Sequence, residues 1–98
     1  MAKYYVGQTK LRIRLTMSVN ITGGSAKIKY KRPVSKTEGE WTAVIETAAT
    51  GVIYYDVTTG DIPTTEFGEW LFWGEATFSD GGIAEGEVVR IKFHTAPN

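Results

Sequence analysis

The sequence has 98 residues, eleven basic and eleven acidic side chains and no cysteine. This length fits one domain, residues 1–98, of the size of an immunoglobulin-like sandwich. The lack of cysteine excludes disulfides, thiolate zinc sites and cysteine nucleophiles. No apolar run is long enough for a signal peptide or a membrane span. We therefore expect a protein made and kept in the cytoplasm, or built into a virion there, with no membrane partner.

Apolar and polar residues alternate with a period of two in one short segment after another, and turn residues separate the segments. This pattern predicts antiparallel β-strands with one buried face. The predicted strands are residues 3–6, 10–18, 26–31, 41–46, 52–58, 68–78 and 89–93. Ile62 is the expected apolar anchor of the longest connection, which joins strands five and six. No segment has helical periodicity, so no helix longer than one turn is expected.

The segment 68–82 is expected to be the centre of the fold. It holds two of the three tryptophans and two of the four phenylalanines. Asp80-Gly81-Gly82 supplies residues suited to a tight turn, so residues 68–94 are predicted to form a hairpin. The fold class is therefore all-β: an immunoglobulin-like β-sandwich of about seven antiparallel strands in two sheets. We expect strands one, two and five in one sheet and strands four, three, six and seven in the other.

The charges are sorted along the chain, because nine bases precede the first acid and no base lies between Glu38 and Glu87. Such sorting occurs in proteins with a basic face for nucleic acid. A net charge of zero gives no long-range attraction to phosphate, so we predict no nucleic-acid partner. Instead, the lysines of strand three are expected to face Glu75, and Arg12 and Arg14 to face Asp56.

No residue pattern indicates catalysis. The single histidine, His94, lies next to the C-terminus, where a general base is rarely held rigidly. The serines have no Gly-x-Ser-x-Gly context, and neither a phosphate-binding loop nor a metal-ligand spacing is present. We predict a protein that is not an enzyme, with no catalytic residues, no cofactor and no metal.

Strand six is apolar on both faces over residues 70–73. Trp70, Phe72, Ala76 and Phe78 are predicted to face the core, which leaves Leu71 and Trp73 on the outer face. We predict that these two residues form a protein-contact surface. Its predicted members are Leu71, Trp73, Val88, Lys27 and Lys29. The alternative is that a bulge at Gly74 shifts the alternation and turns Trp73 inward.

The order of turns and core aromatic residues also indicates a family. The segments concerned are 4–7 (YYVG), 11–15 (LRIRL), 28–33 (IKYKRP), 39–43 (GEWTA), 55–57 (YDV), 60–63 (GDIP), 68–70 (GEW) and 78–81 (FSDG). Their order resembles immunoglobulin-like or fibronectin-like domains of tailed-phage virion proteins, and is most similar to the N-terminal domain of baseplate upper proteins. The resemblance implies a phage or prophage structural module of the virion tail or baseplate, whose partners are other virion proteins or copies of itself. No coiled coil or tip follows the domain, which favours a small free-standing structural protein over an adaptor.

The alternative function is a carbohydrate-binding module, because sandwiches of this size present tryptophan and tyrosine rings to sugars. Trp73, Tyr54 and Trp41 would be the residues that stack on a sugar ligand. This hypothesis requires all three rings to lie on one exposed face. Fold analogy alone supports neither function.

Overall fold

The computed structural model describes residues 4–95, and within them the chain forms an all-β sandwich of two sheets. The strands are β1 (Tyr4–Tyr5), β2 (Arg12–Thr16), β3 (Ser25–Lys31), β4 (Glu38–Thr42), β5 (Val44–Thr47), β6 (Val52–Asp56), β7 (Gly68–Thr77), β8 (Ile83–Glu85) and β9 (Val89–His94). One turn of 3₁₀ helix, Ala48–Thr50, is the only helix in this part of the chain. It is far too short to cross a membrane, and no membrane-spanning helix occurs in residues 4–95.

The larger sheet has the strand order β1-β9-β7-β3-β4, with β8 also paired to β7. The smaller sheet has the order β2-β6-β5. The predicted fold class is confirmed, and the predicted central segment is β7, which lies in the middle of the larger sheet. The predicted hairpin is confirmed as well, since β7 pairs antiparallel with both β8 and β9. Its turn is closed by the Phe78 N–H, which donates to the Gly82 carbonyl at 2.8 Å.

Two details of the predicted topology are wrong. The first strand does not join β2 and β6, because β1 pairs parallel to β9 in the larger sheet, and the Val6 N–H donates to the His94 carbonyl at 2.9 Å. β1 thereby covers the edge that β9 would otherwise leave open. The predicted fourth strand is divided between the sheets. Its first part belongs to β4 and its second part is β5, with Ala43 at the crossing. This division and the short β8 raise the strand count in the described residues to nine.

The alternation of β7 is unbroken, which decides where Trp73 lies. The pairing of β7 with β3 runs without a register shift from Ser25↔Thr77 to Lys31↔Leu71. A bulge does exist, but it lies on the opposite side, where Trp73 and Gly74 face the three residues 86–88. The extra residue therefore lies in the segment between β8 and β9, and Trp73 stays on the outer face. The alternative, a slip of β7 at Gly74 that turns Trp73 inward, does not occur.

The core is built around aromatic side chains from both sheets. Trp70 and Phe72 of β7 are fully buried, with ring centroids 5.8 Å apart. Trp41 of the larger sheet stacks on Tyr55 of the smaller sheet at 4.6 Å, which ties the two layers together. The Trp70 indole N–H donates to the Glu66 carbonyl at 2.8 Å, so its polar atom is satisfied inside the core. Ile62 is also buried, as predicted for the anchor of the long connection.

Cross-strand ion pairs account for the sorted charges. Arg12 pairs with Asp56 at 2.7 Å, and Lys29 pairs with Glu75 at 3.0 Å, as predicted. Arg14 does not reach Asp56, since its guanidinium binds Glu46 on β5 at 2.7 Å. In the three-stranded sheet, β6 lies between β2 and β5, and Arg14 reaches across it to β5. The basic early strands therefore lie beside acidic later strands on both outer faces.

Candidate functional site

The five residues predicted to form a contact surface lie in one region of the larger sheet. Trp73 is directly opposite Lys29, and Leu71 is directly opposite Lys31, on the face away from the core. Val88 belongs to the bulged segment beside them and is 52% exposed. Lys27 lies farther along β3, opposite Glu75. We call Leu71, Trp73, Val88, Lys29 and Lys31 the outer patch.

Lysine and glutamate side chains surround the apolar centre of the outer patch. Lys29 binds Glu75 at 3.0 Å, and these two side chains are only 30% and 16% exposed. The hydrogen bond to Glu75 is the main cause that raises the pKa of Lys29, so this lysine stays charged. Leu71 and Trp73 are partly buried. The aliphatic stems of neighbouring lysines cover part of such side chains while the ammonium groups stay in water.

The outer patch is shallow, and several charges lie at its rim. It lines a depression of about 490 Å³ together with Glu38, Glu85 and Gly86. Lys27 pairs with Glu40 at 2.7 Å, so its charge is already matched within the sheet. Lys31, Glu38 and Glu85, in contrast, make no ion pair with any residue of the described range 4–95. An apolar centre with available charges around it can bind a protein surface of mixed character.

The three aromatic residues proposed to stack on sugars do not share a face. Trp41 is buried in the core against Tyr55. Tyr54 belongs to the other sheet, where the Arg12 guanidinium lies 3.8 Å from its ring centroid. Trp73 therefore has neither of them as a neighbour, and the geometry required for the carbohydrate hypothesis is not present. Tyr54 lies in the other sheet, whereas Trp41 lies in the same sheet as Trp73 but on its inner face.

The residues considered for catalysis do not form a cluster. His94 lies on β9 with its ring 6.0 Å from the ring of Tyr5. Within residues 4–95, no three histidine, aspartate or glutamate side chains come close enough together to hold a metal ion.

A second pocket, which the sequence did not indicate, adjoins the outer patch at Leu71 and Lys31. Its other lining residues are Arg32, Pro33, Lys36 and Glu69. The loop after β3 that forms one wall is held by Glu66, a buried residue whose Oε1 accepts hydrogen bonds from the Val34 and Ser35 N–H groups at 3.1 Å each. In the sequence, Glu66 is only an isolated acid in the long connection. Its position there indicates neither its hydrogen-bond partners nor its burial.

Glu66 should make the fold sensitive to acid. Burial by itself would raise the pKa of Glu66, but the hydrogen bonds from Ser35 and Val34 and the charge of Arg32 outweigh it, so the pKa is lowered. The unfolded chain has the ordinary glutamate pKa of about 4.3. The contribution of Glu66 to stability is therefore present above about pH 4.3 and is lost as the pH falls through the lower folded value.

We expect Glu66→Gln to be less stable than the wild type near neutral pH, with a difference that narrows below about pH 4.3. Urea denaturation of both proteins across this pH range measures the difference between their free energies of unfolding. The other carboxylates are the same in both proteins, so their contributions cancel in this difference. Glu87→Gln is the matched control, since Glu87 is exposed and should give no difference. A difference for Glu66→Gln that is independent of pH would contradict the assigned role.

Comparison with known proteins supports the fold. No protein-family model matches the chain, and no curated protein matches it. Among solved structures, the chain is similar to CopC from Methylosinus trichosporium OB3b, with a TM-score of 0.52 and 18% sequence identity. The superposition covers 100% of this chain and 89% of that chain. At this identity the similarity shows the β-sandwich fold alone.

Proposed function

We propose that this chain is a non-enzymatic protein-interaction module that binds a partner protein through the outer patch. One observation carries the proposal: the central strand places Leu71 and Trp73 side by side on the outer face, although Trp70 and Phe72 already fill the core from the inner face. A sandwich needs only one apolar face on each sheet. A second apolar face in the middle of the larger sheet supports a role in binding.

The composition of the outer patch suits a binding site that is formed before the partner arrives. Trp73 is partly buried and lies on a strand that is paired on both sides, so little conformational freedom remains to be lost on binding. Tryptophan is the side chain most often found to dominate protein interfaces, especially where surrounding contacts exclude water. Lys29, held by Glu75, is placed to provide such a rim.

The charge pattern favours a different protein over a second copy as the partner. β7 lies between two strands that carry bases on the outer face: Lys27, Lys29 and Lys31 on β3, and Arg90 and Lys92 on β9. If two copies stacked with aligned strands, a basic strand would face a basic strand in either two-fold arrangement. Lys27, Lys29 and Arg90 are ion-paired within the sheet, so the like-charge contacts that oppose association are those of Lys31 and Lys92, which have no ion pair in residues 4–95. The resemblance to tailed-phage domains suggests a virion tail or baseplate protein as this partner, and hence a phage or prophage structural role.

A photo-crosslinking experiment tests the proposal. A photoreactive amino acid replaces Leu71 in one variant, and Val44 in a control variant. Val44 is 51% exposed and lies on β5 of the other sheet. We expect the Leu71 variant to form a crosslink to one protein in the particles or cells that contain this chain, and the Val44 variant to form none. Mass spectrometry identifies the partner, and purified partner must then bind the purified wild-type chain.

Crosslinks of equal yield from both positions would contradict the outer patch as the binding surface. A crosslink only between two copies of this chain, with a dimer in sedimentation velocity, would contradict a distinct partner protein.

A further inference from the structure

Arg32 is placed in an unusual way for an arginine at the end of a strand. It follows β3 directly, and its guanidinium carbon lies 5.5 Å from the ring centroid of Tyr30 and 5.7 Å from that of Trp70. Its Nε atom is buried, yet it has no hydrogen-bond partner among residues 4–95. Buried polar groups are nearly always hydrogen-bonded, and a donor without a partner costs free energy. The fold thus holds the Arg32 guanidinium in place while its Nε–H finds no partner in residues 4–95.

The neighbouring acid does not satisfy Arg32. Glu66 contributes to the field around the guanidinium, but its Oε1 is occupied by the Val34 and Ser35 N–H groups. No ion pair within 4.0 Å joins Glu66 to Arg32. Glu66 instead fixes the loop after β3, which forms the pocket wall next to the arginine. The same loop is closed by the Arg32 N–H, which donates to the Thr37 carbonyl at 2.9 Å.

The pocket around Arg32 is basic. Lys31, Arg32 and Lys36 line it against a single acid, Glu69, which lies 3.9 Å from Arg90. The pocket is therefore lined by three basic side chains and one acidic side chain, and Arg90, which lies outside the pocket, partly neutralises that acid. The volume is about 370 Å³, enough for a small group such as a side-chain carboxylate. An electropositive pocket with a guanidinium group in its wall is suited to an anion.

We propose that Arg32, Lys31 and Lys36 form a binding site for a carboxylate, provided by an acidic side chain of the partner protein. This proposal rests on the proposed function, because the partner must lie on the outer patch for its acidic residue to reach the pocket. The two surfaces are continuous, since Leu71 and Lys31 line both. The partner segment would therefore present an apolar side chain to Trp73 and Leu71, with an acidic side chain nearby.

The chemistry of the pocket favours a carboxylate over a phosphate. The planar fork of a guanidinium matches the oxygens of a carboxylate and of a phosphate equally well, so the preference comes from the apolar part of the pocket. Pro33 and Leu71 provide apolar walls that suit the methylene groups next to a side-chain carboxylate.

Titration of the isotope-labelled wild-type chain with sodium propionate tests the site without the partner, because propionate has the carboxylate group of a glutamate side chain. The Arg32 Nε–H resonance reports on the buried donor directly. We expect this signal to shift in a saturable manner at constant ionic strength, and inorganic phosphate to shift it less at equal concentration. Arg32→Lys keeps the charge and loses the planar fork. Followed through the backbone N–H resonance of Leu71, which also lines the pocket, this variant should bind propionate about tenfold more weakly.

Lys36→Gln provides a second variant that does not touch the core aromatic residues, and it should also weaken propionate binding. Lys10→Gln removes one positive charge from an exposed position outside the pocket and should leave binding unchanged. No saturable shift in the wild type, or equal affinity in Lys36→Gln and Lys10→Gln, would overturn the carboxylate site. Tighter binding of phosphate than of propionate would overturn the assigned ligand. Failure of these tests leaves the proposed function standing if the Leu71 crosslink forms. Loss of that crosslink with normal propionate binding would remove the docking surface, and with it the partner protein as the source of the carboxylate.

Discussion

Replacing Trp70 with alanine should lower the free energy of unfolding by about 3–5 kcal/mol, the cost typical of removing a large buried aromatic side chain. Trp70 has no solvent exposure. It contacts Tyr30, Phe72 and Phe93, whose ring centroids lie 5.5, 5.8 and 5.8 Å away. The variant also loses the hydrogen bond to Glu66, which leaves the Glu66 carbonyl without that donor. Domains of this size are stable by only about 5–15 kcal/mol, so the loss is a large share of the total.

Urea denaturation of the Trp70→Ala variant measures this loss. Trp73→Ala is a matched control, because it removes the same side chain from the adjacent outer face of the same strand. We expect the control to lose about 1 kcal/mol or less, since partly exposed positions contribute little to folding. A loss below about 1 kcal/mol for Trp70→Ala would contradict the burial of this residue, given the typical cost of such a change.

The alternation along β7 could be predicted from the sequence because it is a local property. The hydrophobic period, the absence of proline and the Asp80-Gly81-Gly82 turn together determine which side chains of β7 face inward. The ion pairs of Arg12 with Asp56 and Lys29 with Glu75 also followed from the sorted charges. The correct prediction of the outer face depended on the same alternation.

Features that depend on contacts distant in sequence were missed. The sequence around Ala43 does not indicate that the chain changes sheets there, because exposed and less exposed residues alternate in both β4 and β5. The parallel pairing of β1 with β9 joins opposite ends of the chain, and two residues carry no register signal of their own. The alternative considered a bulge at Gly74, but the extra residue lies in 86–88. A glycine in a strand indicates a close approach as readily as a bulge. Here it is the former, since a Cβ at Gly74 would lie 3.0 Å from Ile53 Cδ1.

The basic pocket could not be predicted from the sequence for the same reason. Arg32 and Lys36 are close in sequence, but the pocket also needs Glu69 and Leu71 from β7. Glu66, which holds the loop at 33–36, is 32 residues from Val34 and 31 residues from Ser35. A run of bases next to a proline is common on solvated surfaces. Only the fold shows that one of these bases has a buried donor with no partner in residues 4–95.

Trp73→Ala should weaken binding to the crosslinked partner by about thirtyfold or more, which corresponds to the cost of removing a dominant interface residue. The physical reason is that Trp73 provides the largest apolar side chain of the outer patch, at its centre. Trp73→Phe retains part of this apolar area and should fall between the alanine variant and the wild type. Val44→Ala is the control, because Val44 is an exposed residue of the other sheet.

Titration calorimetry of the purified partner against the wild type, Trp73→Ala and Val44→Ala, with thermal unfolding of each variant, tests the outer patch most directly. We expect Trp73→Ala alone to lose affinity by about thirtyfold or more, while its melting temperature falls by a few degrees at most. Unchanged affinity of Trp73→Ala, or an equal loss in Val44→Ala, would contradict the proposal that the partner binds the outer face of β7.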